Sequence, residues 1–189
     1  MKLAPALALA VCFTLQPAFA QDAGAPSSQE IVDALLPTGL DGRKIKGARS
    51  LDGLLNTREV AASGRGVKVI EGKEVPFIDL RVAFEYDSDR LSNDAQLTLR
   101  NLGEALRSDN FKESRFRIVG HTDARGGEDY NMELSQRRAR AVTDYLAANF
   151  GIDHGRLEVS AKGKSELIDG IAPEDERNRR VEVQNISAN

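Results

Sequence analysis

The chain has 189 residues, enough for one domain and an extension. Its 26 Lys plus Arg stand against 29 Asp plus Glu, and only 5% of residues are aromatic, with no tryptophan. That balance argues against a basic nucleic-acid footprint and against a stacking platform for single strands, and the lone cysteine, Cys12, excludes a disulfide framework and a cysteine zinc site.

Residues 1–20 read as an export signal. Lys2 is the positive end, Leu3 to Leu15 is an apolar run, and Ala18-Phe19-Ala20 is a cleavage site. The run is too short to span a membrane, and no later run approaches that length. The expected mature chain starts at Gln21, is exported to the periplasm and has no transmembrane segment. Cys12 follows Val11, where a lipoprotein signal needs a small residue, so lipidation is not expected.

Residues 21–74 read as a linker and an irregular N-terminal extension. Ser27 with Glu30 forms a capping box, and Ile31, Leu35 and Leu36 mark a short amphipathic helix ending at Pro37. Residues 38–74 are weakly patterned, with a helix expected near Leu51–Leu55 and a short strand at Val67–Ile70.

From Val75 the pattern sharpens. Ile78, Leu80, Val82 and Phe84 alternate with Asp79, Arg81, Ala83 and Glu85, the period of a half-buried strand. Ser92 and Asn93 are candidate caps for a helix with Ala95, Leu99, Leu102 and Leu106 on one face. Phe116 and Ile118 mark a second strand, and a helix from about Asn131 to Asn149 follows, with Gly151 as its stop. Leu157, Val159 and Ala161 mark a third strand; Val181 and Val183 mark a fourth. The order β-α-β-α-β-β predicts a two-layer α/β sandwich with helices on one face of a sheet. Residues 75–187 are expected to fold without the extension.

Within this pattern, Asp123 follows the second strand in a loop punctuated by Gly120 and Gly126-Gly127. Arg138 lies one turn beyond Leu134 on the next helix, with Asn131 and Arg137 close to the same rim. A loop carboxylate facing a helix guanidinium suits a small zwitterion. It also suits a structural ion pair, the commoner meaning of such a pair in a strand-loop-helix, and these residues alone leave both open.

The motifs narrow this. GHTD (120–123), YNxxLSxxRAxxVxxYL (130–146) and NRRVE (178–182) stand in the order found in the OmpA-like domain, the peptidoglycan anchor of bacterial envelope proteins, and residues 75–187 resemble that family. The resemblance implies a mixed sheet and a grip on diaminopimelate of the peptidoglycan stem peptide. Arg138 would hold its terminal carboxylate by two parallel N–H bonds, and Asp123 its ammonium. It also implies an arginine near the pocket at Arg179. Thr122 can offer a hydroxyl or backbone N–H, Asn131 can cap the helix or hold the loop, and Phe84 and Tyr86 are lining or core residues.

The expected function is therefore non-catalytic tethering of the envelope to the wall, at the periphery of the outer membrane, with an envelope protein as the partner class for the extension. Two alternatives stand beside it: a protein–protein interaction module on the same fold, and a wall-lytic enzyme. His121 and His154 have no cysteine partners and no zinc spacing. There is no G-x-S-x-G elbow and no P-loop. The acids Glu128, Asp129 and Glu133 complement a helix start and need no catalytic role. No metal or cofactor is expected.

Overall fold

A computed structural model describes residues 25–37, 64–85 and 88–187. The export signal, the helix expected near Leu51–Leu55 and Tyr86 lie outside the described residues.

Helix α1 (Ser28–Leu35) starts at Ser27, whose hydroxyl accepts from the Glu30 N–H while the Glu30 carboxylate accepts from the Ser27 N–H at 2.8 Å. That is the capping box read from the sequence. Ile31 and Leu35 are fully buried and Val32 nearly so, in the same core as the rest of the fold. Strands β1 (Arg65–Ile70) and β2 (Lys73–Leu80) pair antiparallel across Glu71-Gly72. Both turn residues have positive φ, 53° and 77°, which matches the right-handed twist of the paired strands. The described part of the extension is thus regular. It supplies a helix to the core and an edge strand to the sheet.

The remaining elements are α2 (Ala95–Arg107), β3 (Phe116–His121), α3 (Glu128–Phe150), β4 (Leu157–Gly163) and β5 (Val181–Asn185). The sheet order is β1-β2-β5-β3-β4; β3 and β4 are parallel and the other neighbours antiparallel. This is the mixed sheet with helices on one face that the β-α-β-α-β-β pattern and the resemblance imply. Leu80, Leu99, Leu102, Leu106, Phe116, Ile118, Val142, Leu146 and Val183 are sealed between sheet and helices.

Three element limits differ from the sequence reading. The first strand stops at Leu80; Val82 stays buried and Phe84 makes one isolated bridge with Leu91. Helix α2 begins after Asp94 with no side-chain cap, because the N–H groups of Ala95 and Gln96 donate to the Ser92 and Asn93 carbonyls, each at 3.1 Å. Helix α3 begins at Glu128, not near Asn131. Gly127 is its N-cap, and Glu128 and Asp129 complement the dipole in its first turn. At its other end Gly151 takes the left-handed conformation, φ 64°, and its N–H donates to Ala147 at 3.0 Å, the expected stop.

Register sets where chemistry can gather. Leu80 of β2, Val181 of β5 and Gly120 of β3 are paired in one row across the sheet. The chain just beyond that row therefore emerges at one end of the sheet from three strands: residues 81–84, 121–123 and 179–180. Two glycines let α3 press against this end. A Cβ on Gly120 would sit 2.1 Å from the Ser135 carbonyl oxygen, and Gly163 has φ +50° with the Met132 nitrogen 3.0 Å from its would-be Cβ.

Candidate ligand-binding site

Asp123 is 6% exposed. Its Oδ1 accepts from the Arg125 N–H at 3.1 Å, a turn that fixes the carboxylate against its own loop. Its Oδ2 accepts from Arg179 Nη1 at 2.8 Å, with Arg125 Nη1 at 3.6 Å. The guanidinium that the structure sets against Asp123 at hydrogen-bond distance is thus Arg179, delivered by the turn before β5.

Arg138 is 9% exposed, deep for an arginine. Its Nε donates to the Ser88 carbonyl at 3.1 Å, and its guanidinium lies 4.9 Å from the centre of the Phe84 ring. Stacking on an aromatic face and bonding at Nε orient the planar fork. Arg138, Phe84 and Arg179 line one cavity of about 200 Å³ together with Arg81, Val82, Ala83 and Glu176. Three of the six site residues read from the sequence therefore share a wall, and Asp123 is joined to that wall through Arg179.

Thr122 and Asn131 stand behind it. The Thr122 N–H donates to Gly163 at 2.8 Å, tying the loop to the end of β4, and its hydroxyl is buried without a hydrogen-bond partner among the described residues. Asn131 is buried and its Nδ2 donates to the Arg125 carbonyl at 2.7 Å. Of its two expected roles it takes the second: it holds the loop, while Gly127 caps the helix. Arg137 points outward to Glu133 at 2.6 Å.

The sequence reading missed Asn178. It is fully buried; its Oδ1 accepts from the Ile168 N–H at 2.8 Å, and its Nδ2 donates to the Ala172 and Pro173 carbonyls, both at 3.1 Å. The Ala124 N–H also donates to Pro173, at 3.0 Å, so the loop before β5 and the Asp123 loop form one unit. The signal was available: an asparagine directly before the arginine pair of NRRVE, at the end of a turn-rich stretch.

Under the loops, the sheet face turned away from the helices carries a polar cluster. Glu182 is fully buried; Lys68 Nζ donates to it at 2.6 Å, Gln184 Nε2 at 2.6 Å, and His121 Nε2 lies 3.6 Å away as an electrostatic neighbour. Burial alone would raise the Glu182 carboxyl, but His121, Lys68 and Gln184 together hold it down to about 2. Asp79 goes the other way: burial raises it although Arg180 Nε lies 3.1 Å from its Oδ1. This cluster welds β1, β2, β3 and β5 immediately beneath the residues that form the site. Among the described residues no group of three or more His, Cys, Asp or Glu is placed to hold a metal ion, and no helix is long and apolar enough to cross a membrane.

The OmpA family matches residues 83–180. Outer membrane porin F of Pseudomonas aeruginosa is 32% identical over 113 residues, which are 59% of this chain and 32% of that protein. The peptidoglycan-associated lipoprotein of the same organism is 38% identical over 107 residues, 53% of this chain and 59% of that one. The chain thus spans less than two thirds of the length of either relative. Among solved structures, the cell wall anchor of the T6SS from Pseudomonas aeruginosa superposes with a TM-score of 0.50 at 27% identity, covering 67% of this chain and 90% of that one. The OmpA-like domain of FopA1 from Francisella tularensis has the same fold, with a TM-score of 0.50 at 24% identity over 64% of this chain and 77% of its own. The match covers all three sequence motifs up to Arg180 and runs from the Phe84 wall to the arginine turn, so this chain belongs to the OmpA family.

Proposed function

We propose that this chain is a non-catalytic peptidoglycan-binding protein of the bacterial periplasm. In this reading it grips the diaminopimelate of the stem peptide and tethers the envelope to the wall. The unit that binds is residues 75–187, with α1 and β1 fastened to its core and sheet edge. The names of two similar proteins, a peptidoglycan-associated lipoprotein and a cell wall anchor, support the wall as partner.

The observation that carries the proposal is the paired arrangement of Asp123 and Arg179 beside the oriented fork of Arg138. The free end of diaminopimelate carries an ammonium and a carboxylate on one carbon. Its ammonium takes the Asp123 carboxylate. Its carboxylate takes the guanidinium of Arg138, with Arg179 released from Asp123 to share it. Asp123 exchanges Arg179 for the ammonium and Arg179 exchanges Asp123 for the carboxylate, so no buried charge is left unpaired, which is the condition for a partly buried charged site to gain from binding. A ligand with only an ammonium would displace Arg179 from Asp123 without giving that guanidinium a carboxylate, and one with only a carboxylate would draw Arg179 away without giving Asp123 an ammonium. The site therefore selects a zwitterion over a plain carboxylate or amine.

The test is co-sedimentation of the protein with insoluble sacculi. Wild-type protein is expected in the pellet, and Asp123→Ala and Arg138→Ala in the supernatant with unchanged circular dichroism. Retention of both variants in the pellet would show that the wall is bound elsewhere.

A further inference from the structure

The cavity that holds Arg138 does not end at Arg179. A second, larger cavity of about 450 Å³ opens on the other side, lined by Arg81, Arg125, Glu174, Asp175, Glu176, Arg177 and Arg179. Arg81, Glu176 and Arg179 line both cavities, so the two are contiguous across that partition. The cavity proposed for diaminopimelate is lined by Arg81, Arg138 and Arg179; the neighbouring space shares Arg81 and Arg179 and adds Arg125 and Arg177.

Of the three acids in the lining, Glu174, Asp175 and Glu176, the last two are engaged by its arginines. Asp175 is engaged by Arg177 through two contacts, Nε at 3.0 Å and Nη2 at 2.8 Å, and also accepts the Arg177 N–H at 2.9 Å. Glu176 lies 3.5 Å from both Arg81 and Arg179. Arg125 and Arg177 keep further N–H donors, since a guanidinium has five and the Asp175 contact of Arg177 uses Nε and Nη2. The side chains of Arg81, Arg125 and Arg177 are more than half exposed, so an incoming group meets donors without first opening a buried pair. The lining suits a carboxylate and disfavours a second ammonium.

We infer that this cavity is a second subsite, taking a second carboxylate of the same stem peptide while diaminopimelate occupies the first. The inference rests on the proposed function above. The chemistry that meets it is a peptide with a free carboxylate beyond the diaminopimelate chain and one amide link. The α-carboxylate of the adjoining γ-linked glutamyl residue is such a group. Two contiguous anion subsites on one ligand act by effective concentration: the second contact costs little further ordering once the first is made. The protein would thereby prefer a stem peptide to free diaminopimelate, although both present the same zwitterionic end.

The experiment is calorimetric titration of the full chain with three probes. These are free meso-diaminopimelate, the alanyl-γ-glutamyl-diaminopimelate tripeptide, and that tripeptide amidated at the glutamyl α-carboxylate. The tripeptide is expected to bind wild-type protein about tenfold more tightly than its amide, as for one charge-assisted contact. Arg177→Gln, which alters only the larger cavity, should reduce tripeptide affinity about tenfold and leave free diaminopimelate unchanged. Equal affinity for tripeptide and amide in wild-type protein would overturn the subsite, and that measurement needs no variant to fold. Equal weakening of both ligands by Arg177→Gln would overturn it too. Loss of all binding in Asp123→Ala alongside equal affinity for tripeptide and amide would remove the subsite and leave the first reading standing. Tripeptide binding that survives Asp123→Ala would remove both.

Discussion

Arg138 is held by contacts that a lysine cannot reproduce. Its Nε bonds the Ser88 carbonyl and its planar group stacks on Phe84. Arg138→Lys keeps the charge and loses the fork, so it is expected to weaken wall binding by about tenfold, against ten- to a hundredfold for Arg138→Ala. Sedimentation at graded sacculus concentrations separates the two. Asn178 makes a different expectation. Removing its three loop bonds in Asn178→Ala should cost about 2–3 kcal/mol of stability and loosen Arg179, read by chemical denaturation and by weakened binding together. Glu182 supplies a pH test. Its folded carboxyl sits near 2 against an ordinary 4.5, so its stabilisation is complete above pH 4.5 and is lost as the pH falls toward 2. That contribution amounts to about 3 kcal/mol. Asp79, raised by burial, contributes with the opposite sign. The diagnostic is therefore the difference: stability of Glu182→Gln should fall less steeply than wild type between pH 4.5 and 2.5. Asp123, Arg138 and Arg179 were legible because motif positions name them; Asn178 was not, because its role is to satisfy backbone groups of a loop whose path no local pattern reveals.

At the scale of elements, α3 is the positioning device. Its first half seats on β3 and β4 through Gly120 and Gly163, and this brings Asn131 and Arg138 to the loop end of the sheet. A Cβ at Gly120 would collide with helix backbone, which cannot yield as a side-chain tip can. Gly120→Ala should therefore destabilise by about 3 kcal/mol or more and weaken wall binding, whereas Gly127→Ala, with open space around its Cβ, should do neither strongly. Thermal melts with parallel sedimentation would show it. The strands and helices were readable because each carries a long apolar period: 78, 80 and 82 for one strand, 95, 99, 102 and 106 for one helix. Their ends were not. Glu128 and Asp129 read as acids beside a helix start near Asn131, yet they form the first helical turn themselves, and Asn131 spends its amide on Arg125. Likewise Phe84 continues the strand period but leaves the ladder, and lies under Arg138 instead.

Across the whole molecule, the core does not stop at Val75. Ile31, Val32 and Leu35 are buried in it, and β1 pairs along six positions of β2. A chain cut to residues 75–187 is expected to unfold cooperatively but with stability lower by several kcal/mol, since the cut uncovers those side chains and the β2 edge. Urea denaturation of the two lengths side by side measures this. The sheet register, the arginine turn and the α3 seat converge on one end of the molecule, and the central claim is that this end holds the zwitterionic terminus of diaminopimelate. The most direct test is titration of wild-type protein with a diaminopimelate stem peptide and with the same peptide amidated at its terminal carboxylate, the group assigned to Arg138. The account expects amidation to remove most of the affinity, by ten- to a hundredfold; equal binding of the free and amidated peptides would contradict it.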